Sequence, residues 1–123
     1  MLLQLIGTQL AKYLTKEHIY DDHYFKISID DIKSALEPGD VVLVEGQSRV
    51  SSAIQFITNS NWSHAAIFIG EAGSLSHCLI EVKAVDGCKF TDIDVYMHHN
   101  LRICRPVFLN NKKRKILIDY LVK

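Results

Sequence analysis

The sequence has no surplus of either charge: fourteen Lys and Arg balance fourteen Asp and Glu over 123 residues. Binding to a phosphate backbone draws on excess cations, so nucleic acid is excluded as the main partner. The one basic run, Lys112 to Lys115, reads as the solvated start of a helix. Cysteine is scarce, and Cys78, Cys88 and Cys104 form no CxxC pair and leave an odd thiol. That excludes a disulfide framework and points to the reducing cytoplasm as the expected compartment. Long apolar runs are missing as well. The opening "MLLQLIGTQLAKYLTKE" has no basic leader, meets Lys12 early and is too short to span a bilayer. There is no repeat and no low-complexity tract, and the length fits a single domain over residues 1–123.

What is present is a chain of ordinary globular composition, 48% hydrophobic and 23% charged. Leu3, Ile6, Leu10, Tyr13 and Leu14 form a helical stripe, which predicts an amphipathic N-terminal helix lying on the domain. A membrane surface is not its expected partner. "EPGD" at residues 37–40 is a turn, and the β-branched run Val41 to Val44 after it is a buried strand. Val50, Ala53, Ile54 and Ile57 share one helical face, with Ser48 as the cap. "HAAIFIG", "HCLIEVKAV" and "LRICRP" read as strands, and "NKKRKILIDYLVK" as a closing helix. The expected class is α+β, a mainly antiparallel sheet packed against helices.

His64 stands at the entrance of an apolar strand, "HAAIFIG". A four-residue loop, Glu71 to Ser74, would place Gly70 opposite Leu75, Phe68 opposite His77, Ala66 opposite Leu79 and His64 opposite Glu81. Opposed residues lie about 5 Å apart at Cβ, close enough for an imidazole and a carboxylate to bond. A one-residue slip would separate them. Glu81 is the only carboxylate within its strand, where Glu is a poor choice without a task or an exit to water. A carboxylate on one ring nitrogen fixes the tautomer and favours the imidazolium, which is the base-plus-orienter half of a nucleophilic triad. The plainer alternative is a strand-end histidine beside a surface glutamate.

The succession "EPGDVVLVEG", "SSAIQFITNSN", "WSHAAIFIG", "LIEVKAVDG", "LRICRP" resembles the circularly permuted papain-like hydrolases of the NlpC type, above all the bacterial YiiX-like group. Lecithin retinol acyltransferase is a more distant relative. The resemblance runs from Leu36 to Pro106, with residues 1–35 as a helical extension. It implies a small papain-like core with His64 as general base and Glu81 as its orienter. It also implies attack on amide, ester or thioester carbonyls, with a peptide or an acyl lipid as substrate. In that arrangement the nucleophilic cysteine follows the counterpart of "LRICRP", at the start of a later helix. No cysteine occurs after Cys104. The expectation is therefore a chain that is incomplete or inactive as a hydrolase. A second copy or a partner would cover the apolar gap.

Among the cysteines present, Cys104 beside Arg105 is the best stand-in nucleophile. Cys78 should face away from Glu81, and Cys88 follows a turn remote from His64. Trp62 and Ser63, just ahead of His64, are candidate cleft residues. Ser48 and Arg49 open a helix whose free N–H groups could receive an anion. His18 and His23 with Asp21 and Asp22 match no zinc spacing, and the adjacent His98 and His99 diverge, so no metal and no cofactor are expected. "NWS" at Asn61 fits a glycosylation acceptor, which matters only in a secretory setting that nothing else supports.

Overall fold

The computed structural model describes residues 1–16 and 27–123. Four helices, α1 (Leu2–Thr15), α2 (Ile29–Ala35), α3 (Arg49–Thr58) and α4 (Asn111–Leu121), accompany five strands. These are β1 (Val41–Val44), β2 (His64–Ala72), β3 (Leu75–Lys83), β4 (Gly87–Asp92) and β5 (Leu101–Cys104). The strands form one antiparallel sheet in the order β4-β3-β2-β1-β5, so the fold is α+β, as expected. No helix among the described residues is long and apolar enough to cross a membrane.

The helix starts follow the side chains that cap them. Ser28 Oγ accepts from the Asp30 N–H, Ser48 Oγ from Ser51, and Asn110 Oδ1 from Lys113. Each satisfies a donor that the first helical turn leaves open. The "EPGD" turn closes through Gly39, whose positive φ of 97° suits glycine, and through Asp40, which accepts from the Glu37 N–H. Asp40 is buried and gripped by Arg105, whose Nε and Nη2 lie 3.0 and 2.9 Å from its two oxygens. This fork ties the entrance of β1 to the exit of β5.

One face of the sheet carries the core. Val42 and Val44 of β1 stand opposite Ala66 and His64 of β2, and opposite Ile103 and Leu101 of β5. On the same face Ala66 meets Glu81 and Phe68 meets Leu79, which in turn meets Thr91 of β4. Ile32 of α2 joins this core, as do Ile93 and Tyr96 from a 3₁₀ turn over Ile93–Tyr96. The other face shows Val82 and Phe90 to solvent.

Three expectations need correction. The β2–β3 loop has two residues, Gly73 and Ser74, with Ala72 paired to Leu75. Gly73 alone takes a positive φ, 59°, as the first position of a type II′ turn requires. Two register shifts, between Phe68 and Gly70 and between Gly70 and Ala72, cancel one another, so the register set by the two-residue loop returns beyond them and Glu81 stands opposite Ala66 rather than His64. Secondly, β4, which pairs along β3 from Lys83↔Gly87 to Cys78↔Asp92, was not anticipated as a strand. Thirdly, α1 does not bury its apolar stripe: Leu2, Leu3, Leu5, Ile6 and Leu10 are all more than half exposed. Its link to the rest runs through Arg49, which stacks 4.1 Å over the Tyr13 ring and donates to the Tyr13 carbonyl. The α3 surface it meets has no buried side chain to extend, so no core forms between them.

Candidate active site

The two-residue error in register left the essential contact intact. Strand side chains alternate with period two, so a shift of two keeps His64 and Glu81 on one face as diagonal neighbours. A long side chain bridges such a diagonal. His64 Nε2 lies 2.8 Å from Glu81 Oε2.

Glu81 is 2% exposed and fully engaged. Thr91 Oγ1 donates to Oε1 at 2.7 Å, the Tyr96 hydroxyl donates to Oε2, and Lys83 Nζ stands 3.4 Å from Oε1. Burial alone would push this carboxyl up. The hydrogen bonds from His64, Tyr96 and Thr91, with the Lys83 charge, outweigh burial and hold it at about 2, below its ordinary 4.5. An ionised carboxylate only accepts, so His64 Nε2 carries a proton, and in the neutral ring Nδ1 is the basic nitrogen. Nδ1 has no partner among the described residues, and the ring lines an open cavity of about 850 Å³.

The entrance to β2 is held from below. The Ser63 N–H donates to the Val44 carbonyl at 3.0 Å, and Ser63 Oγ accepts from the Gly46 N–H at 2.9 Å. A Cβ on Gly46 would run into the Ser51 and Ser63 hydroxyls, so only glycine lets the loop pass this closely to α3. Ser48 Oγ is committed to its cap and to the Ser51 hydroxyl, and Arg49 to Tyr13, so neither is set aside for an anion.

Of the candidate residues, His64 and Ser63 line the cavity, and Glu81 lies beneath His64. Trp62 is half-buried and does not line it. Cys104 pairs with Val41, Cys88 with Val82, and Cys78 with Asp92. Each is one residue out of step with the His64 face, so all three cysteines point to the other side of the sheet. Cys104, the expected stand-in nucleophile, is exposed there, and the strand it belongs to keeps it from His64. His18, His23, Asp21 and Asp22 lie outside the described residues, and among those described no three metal-binding side chains come together. His98 is exposed, whereas His99 is buried edge-on to Tyr96 with ring centroids 5.4 Å apart.

Thr91, Tyr96 and Lys83 were not anticipated as partners of Glu81. Lys83 could have been found, because it sits two residues beyond Glu81 and therefore on the same face. Thr91 and Tyr96 reach Glu81 through β4 and the 3₁₀ turn, which carried no comparable signal.

No curated protein matches the chain. Residues 35–121 match the model of the family described as permuted papain-like amidase enzymes, YaeF/YiiX, C92. That span takes in the "EPGD" turn, all five strands and the His64–Glu81 pair. With most of its length covered, this chain belongs to the permuted papain-like amidase family.

Proposed function

We propose that the cleft is the general-base half of an acyl-transfer site acting on amide, ester or thioester bonds. Family membership supports a hydrolase-type activity. The observation that carries the assignment of roles is the 2.8 Å bond from His64 Nε2 to a buried, ionised Glu81 at the floor of an open cavity. His64 Nδ1 takes the proton of an attacking nucleophile as its bond to the carbonyl carbon forms. Glu81 stabilises the resulting imidazolium, which returns the proton to the leaving group as the tetrahedral intermediate collapses.

None of the three cysteines shares the His64 face, so the attacking group comes from elsewhere. On its own the chain hydrolyses acyl substrates weakly or not at all, and binding outlasts turnover. The exposed thiols of Cys88 and Cys104 fit a reducing compartment such as the cytoplasm.

The test supplies the missing nucleophile in solution. With a p-nitrophenyl acyl ester and N-acetylcysteamine, the sulfur–carbonyl bond forms as the carbon–oxygen bond breaks. The thiol proton passes to His64, and p-nitrophenolate leaves with the electron pair. A positioned base contributes about 10²- to 10⁴-fold, so thioester formation should exceed the uncatalysed rate clearly and fall to background in His64→Ala. No acceleration by the unaltered protein, or acceleration indifferent to His64, would overturn the assignment.

A further inference from the structure

The basic run at residues 112–115 stands at the wrong end of its helix. α4 opens at Asn111, so these cations fall within its opening residues, and its first turn holds no acid. Free N–H groups make a helix N-terminus positive, a place that favours Asp and Glu and disfavours Lys and Arg. Arg114 is turned inward and donates to Asn111 Oδ1 at 3.2 Å and to Glu37 Oε2 at 3.1 Å. Lys112, Lys113 and Lys115 stay exposed, and Asp119 is the one acid that α4 itself carries. Their charges oppose the helix that bears them.

The turn ahead of α4 departs from a second local preference. The Leu109 N–H donates to the Pro106 carbonyl at 3.3 Å, which leaves Val107 and Phe108 at the tip. Turn tips ordinarily take Gly, Asn, Asp or Ser. Here two large apolar side chains stand there, each 84% exposed. The segment is anchored: Leu109 and Leu117 come up against Gly39, and Leu117, Ile118 and Leu121 are half-buried along the inner side of α4. That fixes which side faces outward. Ile116 and Tyr120, one turn apart, are exposed on it, and Lys112 and Lys113 lie about one turn before Ile116.

Apolar tips and cations are thus presented side by side, each against what its own turn or helix favours. A bilayer with anionic headgroups uses both, because apolar side chains enter the acyl boundary while lysine stems reach back to the phosphates. Nucleic acid would use the cations and leave Val107 and Phe108 in water. We propose that the turn at residues 106–109 and the outer side of α4 dock the protein on an anionic lipid surface. Val107 and Phe108 enter it, and Lys112, Lys113 and Lys115 meet its headgroups. A membrane is not expected at α1, and this surface lies on a different helix. The docking is independent of the acyl-transfer reading of the His64 cleft.

The experiment is co-sedimentation of the whole chain with vesicles of phosphatidylglycerol and phosphatidylcholine in equal parts, set against phosphatidylcholine alone. The anionic vesicles should capture the protein about tenfold more strongly or better, and raised salt should release it. Each lysine near such a surface contributes about fivefold, so the triple reversal Lys112→Glu, Lys113→Glu, Lys115→Glu should weaken capture about a hundredfold or more. The same variant should melt at the parent's temperature or above it, because acids suit a helix N-terminus. Lost capture with undiminished stability is a result that misfolding does not produce. Val107→Ser, Phe108→Ser, also at exposed positions, should weaken capture about tenfold or more and leave its salt dependence in place. Capture that ignores headgroup charge, the lysine reversal or the turn substitutions overturns the inference. So does a dimer that forms through Phe108 with no capture by vesicles, or binding to an oligonucleotide in place of them.

Discussion

Replacing Glu81 with glutamine tests the electrostatics of the site most directly. The carboxylate accepts from His64, Thr91 and Tyr96, and an amide offers one acceptor oxygen and one donor NH₂. The least damaging orientation turns NH₂ toward Thr91, whose hydroxyl can rotate to accept, and keeps the oxygen on His64. Even so, the charge that strengthens these bonds is gone. The Glu81 carboxyl sits at about 2 in the folded protein against an ordinary 4.5, so folding favours its ionised form by about 3 kcal/mol. Because the folded value is depressed, this stabilisation is present in full above the unfolded value. It fades as the pH falls from about 5 toward 2, where both states are protonated. Urea unfolding at pH 7, 4 and 2 on both proteins isolates the contribution. Glu81→Gln should be less stable by about 2–3 kcal/mol at pH 7, with the gap closing as the medium becomes acidic. An unaltered gap across that range, or a variant as stable as the parent at pH 7, would refute the account of Glu81 as an ionised, fully bonded group.

Gly46→Ala should cost about 1–3 kcal/mol, visible as a lowered melting temperature, because the new methyl displaces the Ser51 and Ser63 hydroxyls. An unshifted melt would show that the loop yields freely. Arg105→Lys breaks the fork on buried Asp40 and should destabilise by about 1–2 kcal/mol, with Arg105→Ala costing more; denaturant midpoints check the order. With the folded protein, iodoacetamide should label Cys88 and Cys104 and spare buried Cys78 until denaturant is added, as read by peptide mass mapping. Labelling should also be indifferent to His64→Ala. A cysteine whose reactivity falls with that change would place a thiol on the wrong side of the sheet.

Much of the site could be read from the order of residues, and the reason is parity. His64 and Glu81 are separated by a turn, and their shared face depends only on whether the register sum is odd or even. Assuming a four-residue loop misplaced the rungs at Phe68 and Ala66, nearest His64, by two and left the face unchanged. The cap at Ser48 and the "EPGD" turn were legible because their hydrogen bonds are local. The partners of Glu81 were not. Thr91 and Tyr96 meet it only after β4 pairs with β3 and the 3₁₀ turn folds over the sheet, and nothing within a few residues of either announces that encounter. The fate of α1 was hidden for a related reason. Its periodicity records an apolar stripe but not whether a complementary surface waits for it, and α3 offers only the Tyr13–Arg49 stack.

The many ties of Glu81 bear on how such a site would age. Catalytic groups are commonly held under strain, so a lineage that stops needing them gains stability by letting them go. Here the orienting carboxylate is anchored from three elements and belongs to the packed interior as much as to the chemistry. Mutational drift would therefore be penalised at Glu81, Thr91 and Tyr96 long after selection for turnover had lapsed, while His64, secured by a single bond, would be the first to wander.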